Sequence, residues 1–486
     1  MSLSRLPEPD ASVLARSGAI IKELEQLLGA DAVISEEEGR RAFEADALTA
    51  YRSIPLAVIL PRTTQEVAKI LKYCHQNAIK VVPRGAGTSL SGGALPAEDA
   101  IVIGLSRMNR ILEVDIENRT ISVETGITNL AITDAVEAEG FFYAPDPSSQ
   151  LACTLGGNLA MNSGGAHCLK YGVTTNNVLG LRIVLMDGEI VDIGGPYFDA
   201  EGYDLLALIV GSEGQFGIVT ESTLRILPKP EGARPILLGF DTSEAAGRCV
   251  AAIIASGIIP VAIEFMDRPA IAVAEAYAHA GYPLDVEALL IVEVEGSEDE
   301  INRLLHAIVE IARSYGPTVV EASTSAEHSE RIWKGRKATF GAMGRISDYY
   351  CMDGVIPLSR LAEVLTRVSQ ICAEYGLNVA NVFHAGDGNL HPLILYDAND
   401  ADQARRAELA GAEILKLCVA VGGCLTGEHG VGIEKRDLMY VQFTPADLAV
   451  QMRIKSVFDP QWLLNPAKVF PLDAGEAVAA ATEVAA

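Results

Sequence analysis

The segment VFHAGDGNLHP sets His384 and His391 on either side of an Ala-Gly-Asp-Gly-Asn turn. Residues seven apart on a straight strand face opposite ways, so a turn at Gly386-Asp387-Gly388 is what would bring both imidazoles to one side. Downstream, GGCLTGEHGVG supplies Glu428 beside His429, with glycines on both sides that permit an irregular backbone. Two imidazoles and one carboxylate suit Zn²⁺, Mn²⁺ or Fe²⁺ and leave coordination positions open for a substrate. Five of the eight histidines lie elsewhere, and none of those five has a companion at such spacing. The competing reading is a pair of satisfied core histidines flanking a tight turn.

Such chemistry needs a scaffold, and 486 residues exceed what one hydrophobic core usually fills, so two domains are expected. Apolar residues make up 49% and charged residues 21%, a globular composition. Against 38 basic residues stand 64 acidic ones, a net charge of −26 that would repel phosphate backbones and anionic bilayers. Nucleic acid is therefore excluded as a partner. The longest apolar stretch, Cys249 to Ile263, is broken by Gly257 and Pro260 and is too short to span a bilayer. The opening MSLSRLPEPDAS has no apolar signal core and carries acids early, which points to a bacterial-type cytoplasm. The eight cysteines are scattered with no C-x-x-C pair, so they read as reduced, mostly buried thiols and not as an iron–sulfur site.

Periodicity then assigns the elements. Leu14, Ile20, Ile21, Leu24, Leu27 and Leu28 recur at helical spacing, which predicts an N-terminal helix over 13–28. LAVILP, IKVVP, AIVIGL, ILEVD and TISVETG read as strands, with a helix running from Thr64 through Cys74 and a hairpin turn at Asp187-Gly188. The proline-punctuated Leu227-Pro228-Lys229-Pro230 marks a domain boundary. Beyond it, the strands ARPILLGF, LLIVEVEG, MDGVIP and NVAN interleave with helices over 243–256, 298–315 and 358–375. That order fits an antiparallel sheet with helices on one face, an α+β domain.

Three glycine-rich segments crowd the first half: PRGAGTSLSGGALP, LGGNLAMNSGG and GSEGQFGIVT. Each can expose backbone N–H groups, and a strand running into glycines after Val82 and Pro83 is a plausible diphosphate cradle. None matches G-x-G-x-x-G or ends in Gly-Lys-Ser/Thr, which disfavours a Rossmann nicotinamide site and a P-loop.

Together with YAPDPSSQ and HCLKYG, these loops resemble the FAD-binding domain of the vanillyl-alcohol-oxidase type flavoproteins. WKGRKATFGAMGRISDYYCMDG, NVFHAGDGNLHPLILYD and GEHGVGIEKRD are similar to the FAD subunit of glycolate oxidase, in the D-2-hydroxy-acid dehydrogenase group. The resemblance runs from about residue 45 to residue 470. It implies an α+β fold with a two-part FAD-binding domain over 51–228, behind an N-terminal helical segment over 1–50. A substrate domain with an antiparallel sheet would cover 229–425, a segment at 426–472 would complete the active site, and 473–486 would be a flexible tail.

The resemblance further implies FAD with its diphosphate along Pro83, Arg84, Gly85, Ala86, Gly87, Thr88 and Ser89 and its isoalloxazine near Pro145, Asp146, Ser148 and Ser149. Gly156, Gly157, Asn158, Ser163, Gly164 and Val219 would complete the pocket, with Glu213 a neighbour. No histidine stands at 84–93, so the flavin is expected to be noncovalent; His167, nearby, is assigned to turn packing. The reaction implied is oxidation of a 2-hydroxy acid: glycolate first, D-lactate second and D-2-hydroxyglutarate third. A metal on His384, His391 and Glu428 would acidify the hydroxyl, His429 would be the general base, and Arg336 would grip the substrate carboxylate. Lys337, about 100° around the helix from Arg336, would face elsewhere. Where hydroxyglutarate-oxidising relatives are expected to place polar groups, this chain holds Phe340, Cys351, Pro392 and Leu393, which favours a small acid. A second flavin-type subunit and an iron–sulfur subunit would pass electrons towards an acceptor such as quinone or a cytochrome, and could attach the assembly at the inner face of the plasma membrane. Two readings from other classes stand beside this one. A metallohydrolase would leave the glycine loops without purpose, and a noncatalytic FAD-binding subunit would not need Arg336 or His429.

Overall fold

The computed structural model describes residues 6–197 and 202–473, so the expected tail lies outside the described residues from 474 onward. Two compact units emerge, one made of Gly165–Gly172 and Lys229–Glu428, the other of Ser4–Gly164, Val173–Pro228 and His429–Ala486. Among the described residues no helix is long and apolar enough to cross a membrane.

The second of these, called the two-sheet unit after its larger sheets, holds a four-stranded sheet in the order Val33–Ile34, Ala57–Ile59, Ala100–Gly104, Lys80–Arg84, a five-stranded antiparallel sheet, and a small pairing of Phe141–Phe142 with Leu227–Pro228. The five run Ile111–Asp115, Thr120–Glu124, Ile218–Arg225, Val178–Val184, Ile190–Gly194. AIVIGL, ILEVD and TISVETG read as consecutive strands in the sequence, yet the first joins a different sheet from the other two. Burial explains the split: Ala100–Gly104 is buried throughout and pairs in parallel on both sides, whereas Ile111–Asp115 is an exposed edge. Lys80–Arg84 is an edge strand in its own sheet, the one place where Pro83 costs no ladder bond. The helix Thr64–Gln76 begins where Thr63 Oγ1 accepts the Glu66 N–H at 3.2 Å, and it buries Val67, Ile70, Leu71 and Cys74 at helical spacing. Burying each of the larger aliphatic side chains contributes about 1.5–3 kcal/mol. The expected N-terminal helix is two helices, Ala11–Ala15 and Ser17–Leu28, because Arg16 leaves helical geometry at ψ 3°.

The nine-stranded unit is antiparallel at every pairing, as its strand-and-helix order suggests. Val319–Ala322, Gly232–Phe240, Ala288–Gly296, Ala262–Asp267, Asn378–His384, Asn389–Leu390 and Gly354–Val355 lie in that order, and Pro392–Tyr396 joins Asn378–His384 to Asp348–Cys351. The strand Ala262–Asp267 is not set apart in the sequence reading, because it runs on from the apolar stretch before it. It is the element that matters most below, since its register sets Glu264 directly opposite His384.

Candidate functional site

The strand Asn378–His384 ends on its histidine, and the chain turns back at once. Ala385 and Gly386 donate their N–H groups to the Ile263 carbonyl at 2.7 and 3.1 Å, and the Asp387 carboxylate accepts the Asn389 N–H at 3.1 Å. Gly388 adopts φ +77°, and a Cβ there would stand 2.2 Å from the Ile356 carbonyl oxygen. Only glycine closes this turn without displacing the neighbouring strand. Asn389 then pairs back with His384, and His391 follows with its ring centroid 5.5 Å from that of His384. The turn does what the spacing requires and sets both imidazoles on one side.

A carboxylate reaches them from a distant segment. Val355 and Cys424 exchange backbone hydrogen bonds of 3.1 and 2.9 Å, which brings in the loop that ends at Glu428. Asp353 holds that loop: its carboxylate accepts the Thr426 hydroxyl at 2.7 Å and the Gly427 and Glu428 N–H groups at 3.1 Å. Gly427 is packed so closely that a Cβ would meet Asn389 Oδ1 at 2.2 Å. Glu428 Oε1 lies 3.3 Å from His391 Nε2 and 3.6 Å from His384 Nε2. One ligand atom from each of His384, His391 and Glu428 falls within 4.8 Å of the others, and all three residues are buried. Around them Glu264, Asp353 and Glu428 outnumber the buried cation Arg336. A divalent cation suits both the donor set and this excess of buried negative charge.

Arg336 lies on the helix Ala326–Met343, whose buried side carries Ile332, Gly335, Arg336, Thr339, Ala342 and Met343. Lys337 is exposed, its Nζ 5.9 Å from the Trp333 ring. Arg336 meets Glu264 Oε2 through Nε at 2.8 Å and Nη2 at 2.6 Å, while Glu264 Oε1 lies 2.7 Å from His384 Nδ1. Burial raises the Glu264 pKa, but the Arg336 guanidinium and the His384 imidazole outweigh it and hold the carboxyl below its ordinary range. Burial likewise disfavours the His384 imidazolium; Glu264 and Glu428 prevail and raise its pKa well above 6.5. Sequence reasoning missed Glu264 and gave Asp353 no role. The available signal was an acid inside an otherwise apolar run, VAIEFM.

In the two-sheet unit, the loop after Arg84 lies against the start of the helix Leu155–Met161. A Cβ on Gly85 would stand 2.2 Å from Thr154 Oγ1 and 3.4 Å from the Gly157 nitrogen. Thr154 Oγ1 and Asn158 Nδ2 are buried beside it with no hydrogen-bond partner among the described residues. Close-set glycine backbone and orphaned polar atoms fit a cradle for a polar ligand such as a diphosphate. The Arg84 side chain turns inward, donating to the Ala45 carbonyl at 2.8 Å with its guanidinium over the Phe43 ring. Ala86 is exposed, while Gly87, Thr88 and Ser89 are half-buried, with Ser89 Oγ 3.1 Å from Ser91 Oγ. Pro145 accepts from Asn129 Nδ2, Asp146 is half-buried, and Ser148 and Ser149 are exposed. The Gly156 N–H donates to the Thr125 carbonyl, Ser163 and Val219 accept the Thr174 and Thr125 hydroxyls, and Gly164 is buried. His167 packs in the nine-stranded unit, its Nε2 3.2 Å from Glu293.

His429 opens the last segment of the two-sheet unit, and its backbone is held from two sides. The Ser91 hydroxyl donates to the His429 carbonyl at 2.8 Å, and the Glu213 carboxylate accepts the Val431 and Gly432 N–H groups at 2.6 and 2.8 Å. Burial pushes the Glu213 pKa up, against the lowering effect of those two bonds. The glycine loop and the His429 loop are thus tied together, with Glu213 bracing the histidine's backbone.

Residues 55–194 match the FAD binding domain family, and residues 229–469 match the C-terminal domain of the FAD linked oxidases. The glycolate oxidase subunit GlcD of Escherichia coli K12 is 46% identical across 96% of this chain and 92% of its own length. GlcD of Bacillus subtilis is 38% identical over 94% of this chain and 98% of its own. A D-lactate dehydrogenase of Archaeoglobus fulgidus is 35% identical over 90% and 96%. The structure of p-cresol methylhydroxylase with substrate bound superposes with a TM-score of 0.80 at 16% identity, covering 96% of this chain and 98% of that one, a likeness of fold.

Proposed function

Because this chain belongs to the family of FAD linked oxidases, as its match to both segments and its 46% identity to a glycolate oxidase subunit show, we propose that it oxidises a small 2-hydroxy acid. Glycolate, yielding glyoxylate, leads; D-lactate, yielding pyruvate, is the alternative. The observation that carries the reading is the meeting of His384, His391 and Glu428 within 4.8 Å beside the Glu264–Arg336 pair. The glycine-lined cradle would hold FAD, which would supply a hydride acceptor at N5, and His384, His391 and Glu428 would hold a divalent cation, which would supply Lewis acidity towards the substrate hydroxyl. His429 takes the hydroxyl proton, a task suited to a side chain that ordinarily titrates near neutral pH. Arg336 binds the substrate carboxylate through the part of its guanidinium that Glu264 does not hold.

Phe340 supports a small substrate, for its ring stands edge-on to His391 at 6.1 Å, and Cys351 lies opposite Leu393 in the neighbouring strand. A second carboxylate there would be buried without a partner. We expect the chain to work as a subunit, with a second flavin-type subunit and an iron–sulfur subunit carrying electrons to quinone or a cytochrome. The assembly would lie in the cytoplasm, attached through those partners to the inner face of the plasma membrane.

The test is anaerobic bleaching of the flavin absorbance with glycolate, D-lactate and D-2-hydroxyglutarate in parallel. Glycolate or D-lactate is expected to bleach it fastest; fastest bleaching by D-2-hydroxyglutarate would overturn the small-acid assignment. The cradle has its own test. Gly85→Val drives a side chain into Thr154, and is expected to cut FAD affinity by about tenfold or more, equivalent to about 1.4 kcal/mol. The flavin-to-protein absorbance ratio measures this, with a cooperative thermal melt confirming that the variant folds.

A further inference from the structure

Glu264 is fully buried at 0% exposure and divides its two oxygens between two different tasks. Oε1 faces His384 Nδ1 at 2.7 Å, and Oε2 faces Arg336 Nε and Nη2 at 2.8 and 2.6 Å. We propose that Glu264 is a positioning residue that sets the tautomer of His384 and the aim of Arg336 at once, so that the metal site and the substrate-carboxylate site are built to one spacing. The proposal rests on the metal reading of the histidine triad given above.

The argument begins with register. Glu264 and His384 are direct cross-strand partners, and the Ala385 and Gly386 N–H groups lock the strand end to Ile263, so the backbone holds the imidazole and the carboxylate in facing register. An ionised carboxylate only accepts hydrogen bonds, so its partner Nδ1 must carry the proton. Nε2 is then the nitrogen whose lone pair is left for a metal, and it is the nitrogen that faces Glu428, at 3.6 Å. The same carboxylate holds Arg336 by its Nε side, which fixes the plane of the guanidinium and directs its remaining nitrogen.

Glutamine cannot serve both partners, because it has one oxygen and one NH₂ group. With the oxygen on Arg336, the NH₂ faces Nδ1 and forces the proton onto Nε2, where it blocks the metal. With the oxygen on His384, the NH₂ faces the guanidinium and releases it. Buried beside a cation, the oxygen goes to arginine, so Glu264→Gln is expected to weaken metal binding. Removing Arg336 as well frees the amide to turn its oxygen to His384.

Metal-stripped, flavin-loaded protein would be titrated with Zn²⁺ against a chromophoric chelator, with flavin content and a cooperative melt as controls. Glu264→Gln is expected to bind Zn²⁺ about tenfold to a hundredfold more weakly than the unaltered protein. The double variant Glu264→Gln, Arg336→Leu is expected to recover most of that loss, a response that a merely structural role would not produce. Unchanged affinity in folded Glu264→Gln, or no recovery in the double variant, overturns the role of Glu264. Absence of Zn²⁺ uptake by the unaltered protein overturns the metal reading itself. Should Glu264→Gln fail to fold, a crystal structure of the unaltered protein with Zn²⁺ decides: ligation through His384 Nε2 with Nδ1 still on Glu264 supports the proposal, and ligation through Nδ1 overturns it.

Discussion

Replacing His429 by asparagine is expected to leave FAD bound and to slow flavin reduction by substrate about a hundredfold to ten-thousandfold, the usual contribution of a positioned general base. The loop is secured through its backbone: Ser91 bonds the His429 carbonyl, and Glu213 bonds the amides of Val431 and Gly432. Asparagine keeps those bonds and a polar side chain of smaller size, but it has no group that takes a proton at neutral pH. Stopped-flow reduction under anaerobic conditions reads the loss directly, and the flavin-to-protein absorbance ratio separates it from loss of cofactor. Unaltered reduction would remove His429 as the base.

Stripping the divalent metal is expected to abolish substrate reduction to a similar degree while leaving the flavin in place, with activity restored by Zn²⁺ or Mn²⁺. Two imidazoles and Glu428 converge in a buried site that also contains Glu264 and Asp353. Buried carboxylates in that number are costly unless cations offset them, and Arg336 offsets one. The glycine loops belong to the other unit and supply none of these ligands, which is why flavin should survive chelation. Elemental analysis before and after dialysis against a chelator, paired with the bleaching rate, measures both quantities. Full activity in protein holding a small fraction of one metal equivalent would sink the metal reading.

The His384, His391 and Glu428 cluster was legible in the chain because two of its members flank one turn and the third sits in a second glycine-rich segment. Glycines, acids and histidines crowded into short stretches carry information that does not depend on the fold. The antiparallel character of the nine-stranded unit was likewise readable from the order of strands and helices. Glu264 was not, since its meaning depends on which strand lies beside Asn378–His384, and Ala262–Asp267 comes more than a hundred residues earlier. The bracing roles of Asp353 and of Glu213, which the sequence placed only as a neighbour of the flavin pocket, were hidden for the same reason: each bonds backbone N–H groups of a loop far along the chain. The place of the Arg84 side chain was not legible either, for burial turns it towards Ala45 and Phe43.

The sequence by itself determined the kinds of chemistry available: a glycine-lined cradle for a diphosphate, a His-His-Glu donor set, a histidine beside it and an arginine on a helix. Those follow from residue type and local spacing, which act over a few residues whatever the remainder of the chain does. Only the tertiary structure decided which carboxylate orients which histidine and which acid braces which loop, because strand register and burial are set by packing between segments that share no sequence proximity.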